Sequence, residues 1–112
     1  MESKKMENMI DPNLLKWEFT KIKGFLSKEL IELQNGGLKL VKVEPGSAYP
    51  FHNHPDKTEF IYVLDGIPEI TIDDNHYIGK NGDFFILPKS IKHSISNSSN
   101  NDCILLIGAI KS

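Results

Sequence analysis

The chain has 112 residues, 39% of them hydrophobic, with 13 basic and 15 acidic side chains and a formal net charge of −2. That is enough chain for one domain around one core, and its scattered, nearly balanced charges exclude the basic footprint by which a domain holds nucleic acid. The longest apolar run, Cys103 to Ile107, is far too short to cross a bilayer, which excludes a membrane-spanning helix there.

In chain order, residues 1–13 are rich in Lys, Glu, Asn and Met and end in Asp-Pro-Asn, which reads as a flexible leader ahead of a domain over residues 14–112. No apolar segment of a secretion signal lies between Met1 and Ile10, and the single cysteine, Cys103, cannot form an internal disulfide. Together these predict a cytoplasmic protein. Leu14 to Phe25 sets Trp17, Phe19 and Ile22 among charged neighbours at near-alternating positions, the pattern of a short half-buried strand. Strand-like Leu30–Leu33 and Leu38–Val43 flank Gln34-Asn35-Gly36-Gly37, a strong hairpin turn.

Short strands and tight turns then succeed one another. Asp65-Gly66 leads the run from Glu59 to Leu64 into residues 68–73, Asp73-Asp74-Asn75 leads that into His76–Ile78, and Asn81-Gly82 leads into Asp83–Leu87. Antiparallel neighbours are expected throughout. Lys92–Asn97 is β-like, residues 96–102 form a polar loop, and Cys103–Ile110 is a buried closing strand. No helix beyond a turn or two is called for. The regular spacing predicts an all-β sandwich or barrel.

Three potential metal ligands fall close together within this pattern. His52 and His54 are two residues apart, so in an extended segment both rings leave the same face. Pro55-Asp56-Lys57-Thr58 is turn chemistry, and the strand after it is expected to return beside the histidines with Glu59 at its mouth. His93 can add a fourth donor from a later strand. Three imidazoles and one carboxylate suit a divalent transition metal such as iron, manganese, nickel or zinc.

At these positions the chain resembles the cupin superfamily. Gly46, His52, His54, Glu59 and Gly66 satisfy the first cupin motif, and Gly82, Pro88, His93 and Asn97 match the second, in which Ser90 stands where the motif has a glycine. The resemblance implies a single-domain double-stranded β-helix, the jelly-roll barrel, with the metal inside it. It also implies a homodimer built on the outer face of one sheet, where Phe60, Tyr62 and Leu64 point outward.

Inward parity gives the barrel Ile61 and Val63 beside Glu59, and Ile91, Ile95 and Asn97 beside His93. That wall is mostly apolar and suits a small, partly apolar organic molecule better than a highly charged one. Tyr49 is the candidate for acid–base or supporting work beside Glu59, Asp83 is a further polar group within reach of the cavity, and Tyr62 and His76 read as exposed or structural. The functional expectation is a metal-dependent enzyme, in which four protein ligands leave two open positions on an octahedral ion. Iron would point to a dioxygenase, and manganese, nickel or zinc to an isomerase or lyase. The alternative is a non-catalytic cupin that binds or senses a small molecule, or an empty barrel with a structural role.

Overall fold

A computed structural model describes residues 7–112, so residues 1–6 of the expected leader lie outside the described range. A 3-10 turn, Pro12–Leu14, whose first turn is capped by the Asp11 side chain, precedes ten strands. They are β1 (Glu18–Phe19), β2 (Phe25–Leu33), β3 (Gly36–Val43), β4 (Ala48–His52), β5 (Lys57–Asp65), β6 (Glu69–Ile72), β7 (Asn75–Ile78), β8 (Phe84–Leu87), β9 (His93–Ser96) and β10 (Cys103–Lys111). Two antiparallel sheets result, one in the order β1-β2-β3-β10-β5-β8 and one in the order β4-β9-β6-β7.

The sheets face each other because each strand carries one apolar side. Val41 and Val43 of β3, Ile61 and Val63 of β5, and Cys103, Leu105 and Ile107 of β10 alternate with less buried neighbours and meet Ile70 and Ile95 from the smaller sheet. The jelly-roll barrel expected from the sequence is present.

Its connectivity departs from a succession of hairpins. β2 pairs with β3 and β6 with β7, but β5 takes β10 and β8 as neighbours, and β6 lies in the opposite sheet. Asp65-Gly66 is therefore a corner rather than a hairpin. Gly66 sits at φ +101°, and a Cβ there would lie 2.8 Å from the Cys103 Cα, so no side chain fits where the chain turns this corner. Turn residues mark the change of direction but do not say whether the next strand stays in its sheet. Crossing over lets both apolar sides share one core.

The segment from Leu14 to Phe25 also differs from expectation. Only the two residues of β1 pair, and Phe19 is 90% exposed. The Trp17 ring receives the ammonium groups of Lys28 and Lys42 at 4.6 and 4.9 Å from its centroid, which satisfies it outside the core. The Thr20 hydroxyl donates to the Phe25 carbonyl at 2.7 Å, and Gly24 at φ +85° completes the turn that ends the alternation.

Ser90 takes the left-handed backbone of the glycine it stands in for, with φ 68°. Its amide donates to the His54 carbonyl at 2.8 Å, tying this turn to the histidine loop. A left-handed L-residue costs about 1–2 kcal/mol, while a glycine there makes the unfolded chain freer by about 0.4–1 kcal/mol. Ser90→Gly is therefore expected to stabilise the fold by about 0.5 kcal/mol, a rise of about 2–3 °C in Tm by calorimetry.

Candidate metal centre

The two sheets supply the four ligands from opposite walls. His52 closes β4 and His93 opens β9, and the strands pair so that these two residues are direct cross-strand partners. His54 follows in the loop before Pro55. Glu59 lies on β5 in the larger sheet, so it faces the histidines across the barrel instead of standing beside them on a returning strand. One ligand atom from each of the four residues lies within 4.8 Å of the others.

The backbone sets the protonation of two of the rings. His52 Nδ1 donates to the Pro50 carbonyl at 2.9 Å, and His93 Nδ1 donates to the Ile91 carbonyl at 3.3 Å. A carbonyl oxygen only accepts, so both Nδ1 atoms carry hydrogen, and in a neutral ring Nε2 is left as a lone pair. Those two Nε2 atoms are 3.1 Å apart. Glu59 Oε1 is 3.3 Å from His93 Nε2 and 3.3 Å from His54 Nε2. Lone pairs and a carboxylate this close repel unless a proton or a metal cation lies among them. The donors fit a metal: atoms bound at right angles to one ion at about 2.1 Å are about 3 Å apart, and backbone partners on Nδ1 are the usual support for a ligating imidazole.

The electrostatics agree with an anionic ligand. Burial by itself would raise the Glu59 carboxyl, but a proton or cation shared with His93 Nε2, and positive charge at His54 and Lys57, outweigh it and hold the group below its ordinary value. Burial pulls the His54 ring below 6.5, with Glu59 opposing and Lys57 assisting. Both groups keep the state a metal ligand needs.

The ligands open onto a cavity of about 260 Å³ whose apolar wall includes Phe25, Val41, Ile61, Leu87, Ile95 and Ile107. Tyr49 lines it too, its ring 4.5 Å from that of His52 and edge-on to Phe25 at 5.4 Å. Lys21, Lys39 and Lys57 also line this cavity, and the sequence reading missed them. The signal was available for one of them, since Lys57 shares parity with Glu59.

Other singled-out residues lie elsewhere. Tyr62 is 39% exposed on the outer face. His76 pairs with Glu69 at 3.2 Å on the smaller sheet. The Asp83 carboxylate accepts from the Lys80 amide at 3.0 Å, which with the Lys80 ammonium holds it below its usual range. Cys103 is buried, and burial pushes its thiol up. Asn97 is buried as parity required, but as a clasp. Its Nδ2 donates to the Val43 and Asn101 carbonyls, both at 2.8 Å, and its Oδ1 accepts from the Ser99 amide and hydroxyl. Asn97→Ala is expected to cost about 3 kcal/mol by leaving the Val43 carbonyl without this partner and freeing the 96–102 loop, read as a lower urea midpoint at unchanged slope.

The model of the cupin domain family matches residues 39–108. Among curated proteins, an uncharacterized protein of Methanocaldococcus jannaschii is 31% identical over 103 residues, with 82% of each chain covered. Quercetin 2,3-dioxygenase of Bacillus subtilis is 43% identical over 49 residues, which are 44% of this chain but only 14% of the enzyme's length. Among solved structures, a Thermotoga maritima protein described as a predicted oxalate decarboxylase superposes with a TM-score of 0.85 at 21% identity, covering 93% of this chain and 99% of its own, which shows the shared fold. With both motifs placed, the barrel formed and the family model matched over more than half its length, the chain belongs to the cupin family as a small cupin domain.

Proposed function

We propose that this cupin binds one divalent transition metal through His52, His54, Glu59 and His93 and is an enzyme that acts on a small organic molecule held beside it. The observation that carries this reading is the pair of Nε2 atoms 3.1 Å apart, both with Nδ1 committed to a backbone carbonyl and both beside a carboxylate. Iron, manganese, nickel or zinc would supply Lewis-acid polarisation of a bound oxygen atom there, and iron also electron transfer with dioxygen.

The chain's own groups do the rest. The three imidazoles stay neutral only while protons do not compete, so metal affinity falls as the solution is acidified. Glu59 contributes the negative charge and is placed to take a proton from the bound molecule. Tyr49 packs on His52, orients that ring and brings a phenol to the cavity wall. The local likeness to a quercetin 2,3-dioxygenase supports the oxygen-dependent reading, and isomerase or lyase chemistry is the other reading of the same site. The test is turnover of a panel of small enolisable acids and polyphenols by protein loaded with each metal, followed by oxygen uptake and product spectra. Turnover that disappears on chelation and returns with metal supports the reading. Turnover that survives chelation contradicts it.

The outer face of the larger sheet is apolar and supports a homodimer. Tyr62, Leu64, Phe84 and Ile86 are between 39% and 58% exposed, and the Phe60 ring lies against Gly108 and 5.6 Å from that of Phe84. Light scattering at micromolar concentration is expected to give twice the 12.7 kDa of the chain, and a clean monomer mass contradicts the dimer.

A further inference from the structure

Lysine on the inner wall of a small barrel is unusual, because an ammonium group facing an apolar interior loses hydration unless something anionic replaces it. Lys39 opposes Ile107 across β3 and β10, and Ile107 opposes Ile61 across β10 and β5, so Lys39 springs from the wall at the level of two buried residues. Lys57 lies on the same face of β5 as Glu59, two residues before it. Lys21 reaches the same cavity from the turn before β2.

Among the described residues, no carboxylate oxygen comes within 4.0 Å of any of these three ammonium groups. The carboxylate in the cavity, Glu59, is engaged with His54 and His93 at 3.3 Å. Lys39 and Lys57 also line an adjoining recess with Glu29 and Glu32, but both of these carboxylates are exposed, so pairing there contributes little. Three lysines and one committed carboxylate thus line a cavity of about 260 Å³, below the roughly 300–1,000 Å³ of sites for drug-sized ligands.

We infer that the molecule taken up beside the ligand cluster is a small oxyanion, a carboxylate or phosphate compound, whose charged group is received by Lys39 and Lys57 while its remainder lies on Ile61, Ile95 and Ile107. This rests on the reading of the cavity as the functional site. It changes the expected ligand from a partly apolar molecule to an anionic one with an apolar side. The lysines act as binding residues and need not touch the reacting atoms.

The test compares equilibrium binding of malonate, its neutral diamide malonamide and inorganic phosphate by calorimetry. The proteins are the wild type, Lys39→Met, Lys57→Met and Lys39→Arg, each with metal content measured in the same preparation. Met keeps the aliphatic stem and removes the charge. Wild type is expected to bind malonate or phosphate at least about tenfold tighter than malonamide. Each Met variant should lose about tenfold in anion affinity, the equivalent of one charge-assisted contact, with metal content unchanged, and Lys39→Arg should restore most of it. Should either Met variant fold poorly, the wild-type salt dependence carries the same information, since added salt should weaken malonate and leave malonamide unaffected. Equal affinity for malonate and malonamide, or anion binding indifferent both to the lysines and to salt, overturns the inference. Metal content separately decides the ligand cluster: loss of anion affinity in the Met variants supports the lysine role whether or not the wild type carries metal.

Discussion

Replacing His93 with alanine is expected to weaken metal binding by about 100-fold or more while the β-type circular dichroism stays intact. His93 is 2% exposed and is the most enclosed of the four ligands. Its Nε2 lies within 3.3 Å of both His52 and Glu59, so it joins the two walls of the site. Even supporting partners of metal ligands are worth about 10–100-fold in affinity, and a direct donor is worth more. The fold should survive because the ring faces the cavity, whereas the strand around it is held by register with both β4 and β6. Equilibrium dialysis of both proteins against zinc or manganese measures the effect. Unchanged affinity in the variant would remove His93 from the ligand set.

Glu59→Gln is expected to separate binding from chemistry. Glutamine keeps the size and one oxygen donor but loses the charge and the ability to take a proton. Metal should be retained in part, whereas turnover of an identified substrate should fall about 100-fold or more, the range of a lost acid–base group. The carboxyl is held below its ordinary value despite its burial, by positive charge shared with the His93 and His54 nitrogens and by the Lys57 ammonium, so at neutral pH the wild type presents the basic form. Wild-type turnover in Glu59→Gln would make Glu59 a spectator and leave the chemistry to the three histidines.

The ligand set was legible from the sequence because it is local. His52 and His54 share a face by strand parity, Glu59 follows one turn later, and His93 heads a short strand of its own. What could not be read was which sheet each strand would join. A period of two fixes the side a residue faces and is silent on partners, so Glu59 was expected beside the histidines, whereas it approaches from the opposite wall. The same limit applies to Trp17 and Phe19: alternation was present, but Phe19 is exposed and Trp17 is held by two lysines, and of the three apolar positions only Ile22 packs against the core. Lys39 was overlooked for a different reason. Leu38 and Leu40 make the outer face of β3 as apolar as its inner face, so hydrophobicity does not say which side Lys39 takes until Val41 and Val43 are seen to be buried. Ser90 shows the converse, a residue without glycine's freedom drawn into left-handed geometry by the turn that holds the His54 loop.

Metal content decides whether the four side chains are ligands. Protein purified without chelators or added metal, and then offered iron, manganese, nickel and zinc in turn, is to be analysed for bound metal per chain, with His93→Ala alongside. One divalent ion per chain in the wild type and far less than one in the variant is the predicted result. A wild-type chain that takes up none of the four in stoichiometric amount contradicts it, and then the electrophile among the Nε2 atoms of His52 and His93 is a proton.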